Sequence, residues 1–435
     1  MKGARKAGGR RGARADAPLD VLQHTTIVLG EVLRFAAPAD ALLSRHFREH
    51  RQLGARDRAF IAETVFDLLR RLRSVRRLAG DDASPRALLL AWLARFGGWN
   101  LQRFEAHTRS IEREWIAQVK AASLDGGTLA ERAELPDWLS ETLLAQWGSE
   151  EAVLQLARAL NCPAPLDVRV NTLHADVAAV AAQLRAEGIG CEPAPLAPQA
   201  LRLEGKPALQ KHPLFLAGKI EVQDAGSQLL GHLLSAQRGE AVCDFCAGAG
   251  GKTLHLGAMM RSTGRLYAFD ISERRLEKLR PRAARAGLSN VHPMLIAHER
   301  DARLKRLAGK MARVLVDAPC SGLGTLRRNP DLKWRQTPES VARLSATQGD
   351  ILAAAAKLVA PGGRLVYATC SLLVQENDAV ADAFAAAHPE FVPLNAQEIL
   401  ARQDIALTCG ERLRLLPHEH GTDGFFAAVW QRKGA

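Results

Sequence analysis

Apolar residues recur at helical spacing almost without a break from residue 18 to about residue 150. Val28, Leu29, Val32 and Leu33 share one face, and Phe60, Ile61, Val65, Leu68 and Leu69 another. This predicts an all-helical domain over 18–150, ending with the amphipathic DWLSETLLAQW before Gly148. From Pro163 the pattern shortens. LDVRVN, IGCEPAP, ALRLEG and KIEVQD read as strands around a helix from Ala175 to Glu187, predicting a small α/β domain over 151–222. Beyond Glu240 strands and helices alternate: AVCDF, RLYAFD, Val291 to Ile296, RVLVDAP and RLVYATC, then RLRLLP and FFAAVWQR as a closing hairpin. Seven strands in that order predict a doubly wound α/β sheet over 223–435 with an antiparallel edge.

The sharpest local feature is AVCDFCAGAGGKT, residues 241–253, a buried strand running into a glycine-dense turn and a helix. Two familiar loops are excluded by spacing. A P-loop needs a glycine where Cys246 stands, and the dinucleotide fingerprint needs one where Thr253 stands. Asp270 ends the next strand, twenty residues beyond Gly250, where an acid can accept hydrogen bonds from both ribose hydroxyls. The pair points to a nucleoside cofactor without a pyrophosphate; the plain alternative is a structural turn followed by a strand-end acid facing solvent.

Lys and Arg outnumber Asp and Glu by 59 to 47, a net charge of +12 that favours a polyanion such as RNA. Half of that excess sits in Lys2, Arg5, Lys6, Arg10, Arg11 and Arg14, within a basic, glycine-rich tail over 1–17 expected to be disordered. A second cluster, Arg70, Arg71, Arg73, Arg76 and Arg77, closes a helix, where it serves the helix dipole or faces RNA. Arg169 and Asn171 share one strand face, touching RNA or closing a polar edge. No secretory signal or bilayer-length apolar run is present, so a cytoplasmic protein without a membrane partner is expected. Seven scattered cysteines do not make a disulfide framework, and the 13 histidines form no metal-ligand pattern. Cys243-x-x-Cys246 lies in a strand, where its side chains face opposite ways, so no metal site is expected.

Three predicted strand ends carry chemistry: CAGAGGK, then Asp317-Ala318-Pro319-Cys320-Ser321-Gly322, then Thr369-Cys370-Ser371. A lone buried cysteine is usually a small hydrophobe. Two at matching strand ends, each followed by serine and one near an aspartate, point instead to a thiolate nucleophile facing the cleft.

These motifs closely resemble the Nop/Sun family of RNA cytosine-C5 methyltransferases. The resemblance continues through Val222-Gln223-Asp224, Arg327-Arg328-Asn329-Pro330-Asp331, Glu376-Asn377 and Asp423-Gly424-Phe425-Phe426, covering the chain beyond about residue 135. LGARDRAFIAETVFDLLRR also resembles the NusB-like domain of the Sun branch, whose members modify small-subunit ribosomal RNA. The resemblance implies a class I, Rossmann-like methyltransferase domain, preceded by an all-α NusB-like domain and a small α/β RNA-binding domain. It implies S-adenosyl-L-methionine as cofactor, 16S rRNA as partner and a monomeric, cytoplasmic enzyme. By the same resemblance Cys370 is the nucleophile that adds to cytosine C6. Cys320 assists loss of the C5 proton or release of the adduct, and Asp317 hydrogen-bonds N3. Cofactor contacts are expected from Cys246, Ala247, Gly248, Ala249, Gly250, Gly251, Lys252, Asp270, Asp301 and Asp317, with Glu299 the alternative to Asp301, which is preferred for its Asp301-Ala302-Arg303 stretch. Ala249 departs from the family, which usually has proline there, and His298-Glu299-Arg300-Asp301 lacks the family's Gly-Asp. Two other readings stand beside this one: the same chemistry on transfer RNA, and a non-catalytic RNA-binding assembly factor.

Overall fold

The computed structural model describes residues 20–434, so the basic tail expected over 1–17 lies outside the described residues. The chain forms two compact units divided between Ser123 and Leu124. Among the described residues no helix is long and apolar enough to cross a membrane.

The first unit consists of helices Val21–Val32, Ala39–Glu49, Ala55–Arg70, Leu72–Ala79, Pro85–Arg95, Leu101–Phe104 and Ser110–Ala121. Polar caps fix where several begin. The Asp20 carboxylate accepts the Gln23 N–H at 2.8 Å, and Ser84 caps a helix whose first residue is Pro85. The periodic residues Val28, Leu29, Ile61, Val65, Leu68 and Leu69 form its core. Part of the arginine cluster is structural: Arg70 is buried, while Arg71 pairs with Asp67 at 3.1 Å and lies over the Phe96 ring.

The helical domain expected to run to 150 ends earlier. Helices Leu129–Ala133, Asp137–Trp147 and Glu150–Leu160 belong to the second unit, because Leu139, Leu143, Leu156 and Leu160 pack with Leu323, Leu372 and Leu416. Periodicity identifies a helix's apolar face and is silent about which core receives it.

Next comes a small antiparallel sheet of β1 (Leu166–Val170), β2 (Cys191–Pro193), β3 (Ala200–Leu203) and β4 (Ile220–Val222), in the order β2-β3-β1-β4. Helix Val177–Ala186, capped by Asp176, connects β1 to β2. Arg169 and Asn171 are both buried and close polar contacts within this unit. Arg169 donates to Gln223 at 2.7 Å, and Asn171 donates to the carbonyls of Gly218 and Ala286 at 3.0 Å.

The large sheet contains β5 (Ala241–Asp244), β6 (Arg265–Asp270), β7 (Val291–Leu295), β8 (Met311–Asp317), β9 (Val359–Thr369), β10 (Phe391–Leu394), β11 (Leu413–Leu415) and β12 (Phe425–Arg432). Its order is β10-β12-β9-β8-β5-β6-β7, with β11 also paired to β12. Strands β5 to β9 are parallel, and β10, β11 and β12 run antiparallel to their neighbours. The doubly wound fold is as expected, but the sheet has eight strands rather than seven. The additional strand, Phe391-Val392-Pro393-Leu394, is short and holds a proline that only an edge position accommodates. Alternation divides the core between two faces: Leu315, Val366 and Ala368 point to one, Val314, Val316, Leu365 and Tyr367 to the other. Chain order reverses between β5 and β8, which opens a crevice above their carboxyl ends.

Arginines tie the two sheets together. Arg328 donates to both Asp423 and Asp224, the latter at 2.9 Å, while Arg202 forks onto Asp167 and reaches the Gly421 carbonyl. Burial, with Asp224 nearby, pushes the Asp423 carboxyl up to about 6 despite the arginine. Replacing Arg328 with methionine strands two buried carboxylates, and urea denaturation should show a loss of about 3 kcal/mol. A loss below about 1 kcal/mol would mean that this tie behaves as a solvated surface pair.

Candidate functional site

The loop after β5 has the shape its glycines require. Gly250 has φ +91°, and a Cβ there would lie 2.1 Å from Leu279 Cδ1, so only glycine fits between turn and helix. Gly248, at φ +57°, donates its N–H to Asp270 Oδ2 at 2.8 Å, and Asp270 Oδ1 accepts the Ser272 N–H at 2.7 Å. Asp270 therefore latches the end of β6 to the loop. Arg282 donates to the Ala249 carbonyl at 2.6 Å and to Glu221 of β4 at 2.9 Å, which holds the loop where the family's proline is missing.

Over this loop lies a cavity of roughly 590 Å³, within the usual range for a small-molecule site. Of the expected residues, Cys246, Ala247, Gly248, Ala249, Asp270, Asp317, Cys320 and Cys370 line it together. Gly250, Gly251 and Lys252 stand behind that surface, at the start of helix Gly251–Met259. Asp301 is elsewhere engaged. Its carboxylate accepts from the Ala297 N–H and forks onto Arg303 at 2.6 and 3.0 Å, and this pairing holds its pKa well below the usual carboxylate range. Glu299, the alternative, lines the cavity instead. The Asp-Ala-Arg stretch that favoured Asp301 is thus a local ion pair capping the turn Ala302–Leu307.

Several lining residues carried no motif. Ile271 is 69% exposed yet large and apolar, and with Ile296 and Ile351 it lines the cavity alongside Asp270 and Glu299. Apolar walls for a flat base, acids for hydroxyl and amino groups, and a glycine loop suit S-adenosyl-L-methionine.

The two thiols meet. Cys320, after β8, and Cys370, at the end of β9, have sulfurs 3.4 Å apart. The hydrogen bond to Cys370, burial and the charge of Glu376 push the Cys320 thiol well above its ordinary value. Either sulfur can donate in this contact. Beneath them Glu376, fully buried, accepts the Ser321 N–H at 2.8 Å, the hydroxyls of both Ser321 and Ser371, and the Gln348 amide at 3.0 Å. Gln348 also holds the Pro319 carbonyl, at 2.9 Å.

Lys252 reaches Asp317 with a 2.6 Å hydrogen bond. Burial pulls its pKa down, but Asp317, with Cys370 and Asp244 behind it, more than compensates, and the net shift is upward. Asp244 is buried at the end of β5. Its Oδ2 accepts the Thr253 hydroxyl at 2.7 Å, and burial together with Asp317 pushes its carboxyl up to about 7. Burial likewise raises Cys243 and Cys246, which remain neutral thiols.

The family described as 16S rRNA methyltransferase RsmB/F matches residues 231–431, and a ferredoxin-like domain described as Methyltr_RsmF/B-like matches residues 135–210. The probable ribosomal RNA small subunit methyltransferase B of Bacillus subtilis is 36% identical over 333 residues, 75% of this chain and 72% of that protein. The corresponding Synechocystis protein is 31% identical over 439 residues, covering 93% of this chain and 98% of its own. The crystal structure of PH0851 matches with a TM-score of 0.77 at 25% identity, over 96% of this chain and 100% of that one.

Asp244 supplies a pH test. A carboxyl raised to about 7 in the fold, against 3.8 ordinarily, stabilises the protein only while protonated, so its contribution is lost as pH rises from about 4 to about 7. Asp244→Asn keeps the Thr253 contact and should flatten that part of the stability-against-pH curve measured by urea denaturation. A curve parallel to the parent's would show that Asp244 is ionised at neutral pH.

Proposed function

The chain belongs to the 16S rRNA methyltransferase RsmB/F family, and from that premise we propose that it forms 5-methylcytidine through a covalent adduct between Cys370 and C6 of the target cytosine. It is an RNA methyltransferase acting on small-subunit ribosomal RNA, with S-adenosyl-L-methionine as cofactor. The observation that carries the finer reading is the pair of thiols 3.4 Å apart beside the glycine-loop cavity.

C5 of cytosine is a weak nucleophile. Addition of the Cys370 thiolate to C6 opens the C5–C6 π bond and moves its electron pair onto C5. Asp317, in its protonated form, donates to N3 and passes its proton there as the sulfur adds, so that the ring carries less charge, and takes that proton back when Cys370 leaves. Lys252 already occupies Asp317 Oδ2, which leaves N3 to the carboxyl group's other oxygen. The cofactor, when bound, supplies an electrophilic methyl on a cationic sulfur, and C5 takes that methyl. Loss of the C5 proton then returns an electron pair that re-forms the π bond and expels Cys370 as thiolate. Cys320, in contact with Cys370, takes that proton when it is a thiolate, or as a thiol donates to the departing Cys370 sulfur and assists the expulsion. The base reaches this site only when single-stranded or flipped from its stack.

The test is incubation of the purified chain with methyl-labelled S-adenosyl-L-methionine and unmodified 16S RNA, followed by nucleoside separation. Label is expected in 5-methylcytidine, with none for Cys370→Ala; full activity of that variant would sink the covalent mechanism. Cys320→Ala should retain an RNA adduct on denaturing gels that disappears when Cys370→Ala is added. Failure of the single variant to trap any adduct would remove Cys320 from the release step.

A further inference from the structure

In the first unit, far along the chain from the thiols, three histidines converge. His24 lies on helix Val21–Val32, His46 on helix Ala39–Glu49, and His50 is the residue that caps the latter. His24 Nδ1 is 3.0 Å from His46 Nε2, and one ring nitrogen of each histidine lies within 4.8 Å of those of the other two. His24 and His46 are buried and His50 half-buried. The only trace of this in the sequence is the His46-x-x-x-His50 spacing, which places both rings on one helix face.

We propose that His24, His46 and His50 bind a single zinc-class transition-metal ion, joining the first two helices of the N-terminal unit. Imidazole nitrogens suit zinc and its neighbours, and in a tetrahedral site with bonds of about 2.0–2.1 Å the ligand nitrogens stand roughly 3.3 Å apart. Rings already at 3.0 Å and within 4.8 Å need only small side-chain rotations to reach that spacing. The hydrogen bond between His24 and His46 accounts for one pair of nitrogens, and among the described residues no hydrogen bond accounts for the approach of His50 to both rings, at centroid distances of 4.7 and 4.3 Å. The fourth position falls to water.

The full chain, stripped with chelator, is titrated with Zn(II) against a chromophoric competitor and separately with Co(II), whose visible bands report tetrahedral nitrogen ligation. One equivalent should bind. His50→Gln and His46→Gln should each weaken binding by about a hundredfold or more, since even outer-shell partners of a metal are worth ten- to a hundredfold. Circular dichroism of each variant checks the helices, and His50→Gln, at the half-buried position, is the variant least able to disturb the fold. The Cys320→Ala/Cys370→Ala double variant should bind Zn(II) as the parent does. Absence of binding, binding that survives both histidine changes, or binding that disappears with the two thiols would each overturn the proposal.

Discussion

A buried carboxylate holds the two thiols together. Glu376 gives up its hydration to sit beneath β8 and β9, and its hydrogen-bond donors among the described residues are neutral: the Ser321 N–H and hydroxyl, the Ser371 hydroxyl and the Gln348 amide. Desolvating a carboxylate costs several kcal/mol, and only a full set of donors offsets it. Each serine directly follows a cysteine, so satisfying one carboxylate fixes the backbone of both thiols. Tyr367 reinforces the arrangement by donating to the Glu376 carbonyl and to Gln348. Gly324 adds a backbone constraint: its N–H donates to the Cys370 carbonyl, and a Cβ there would lie 2.3 Å from the Gly424 carbonyl. The strand ends thus fix both backbones, and the side-chain rotamers on them bring the sulfurs to 3.4 Å.

The same logic joins the small sheet to the cofactor loop. Arg282 contacts the Ala249 carbonyl on one side and Glu221 on the other, and Arg285 pairs with the same glutamate. Arg169 lies next to this group, and burial pulls its guanidinium down to about 10. Several basic residues that raise the chain's net charge are therefore committed to internal ties. A count of Lys and Arg overstates the surface offered to RNA, and the Arg70 and Arg169 positions illustrate why.

How far the sequence could be read followed from how local each determinant is. Strand alternation and the turn chemistry of CAGAGGKT are local, and they located β5, β6, β8 and β9 and the convergence of eight cavity-lining residues. Which core a helix joins is not local, and the domain boundary moved to 123/124 for that reason. Edge strand β10 was invisible because four residues with a proline show no usable period. Asp301 was preferred over Glu299 on an Asp-Ala-Arg motif, yet the arginine that made the motif persuasive neutralises the aspartate and takes both its oxygens. Glu376 was visible as part of a motif, but its role depends on two serines 55 and 5 residues away in the chain.

The charge distribution around the cavity bears on how the site handles its cofactor. Asp244, Asp270 and Asp317 end three neighbouring parallel strands, with Lys252 paired to the last. Their mutual repulsion is strong enough that Asp317 and Asp270 both contribute to raising Asp244. Asp270, Glu299 and Asp317 line the pocket against Arg275, an excess of carboxylates that favours a cationic ligand, and in a partly dehydrated site such attraction exceeds its value in water. Methyl transfer removes that cation, since the sulfonium becomes a neutral thioether when it gives up its methyl. The attraction that assists loading of the cofactor is consequently weakened by the reaction itself, which favours exchange of spent cofactor for fresh.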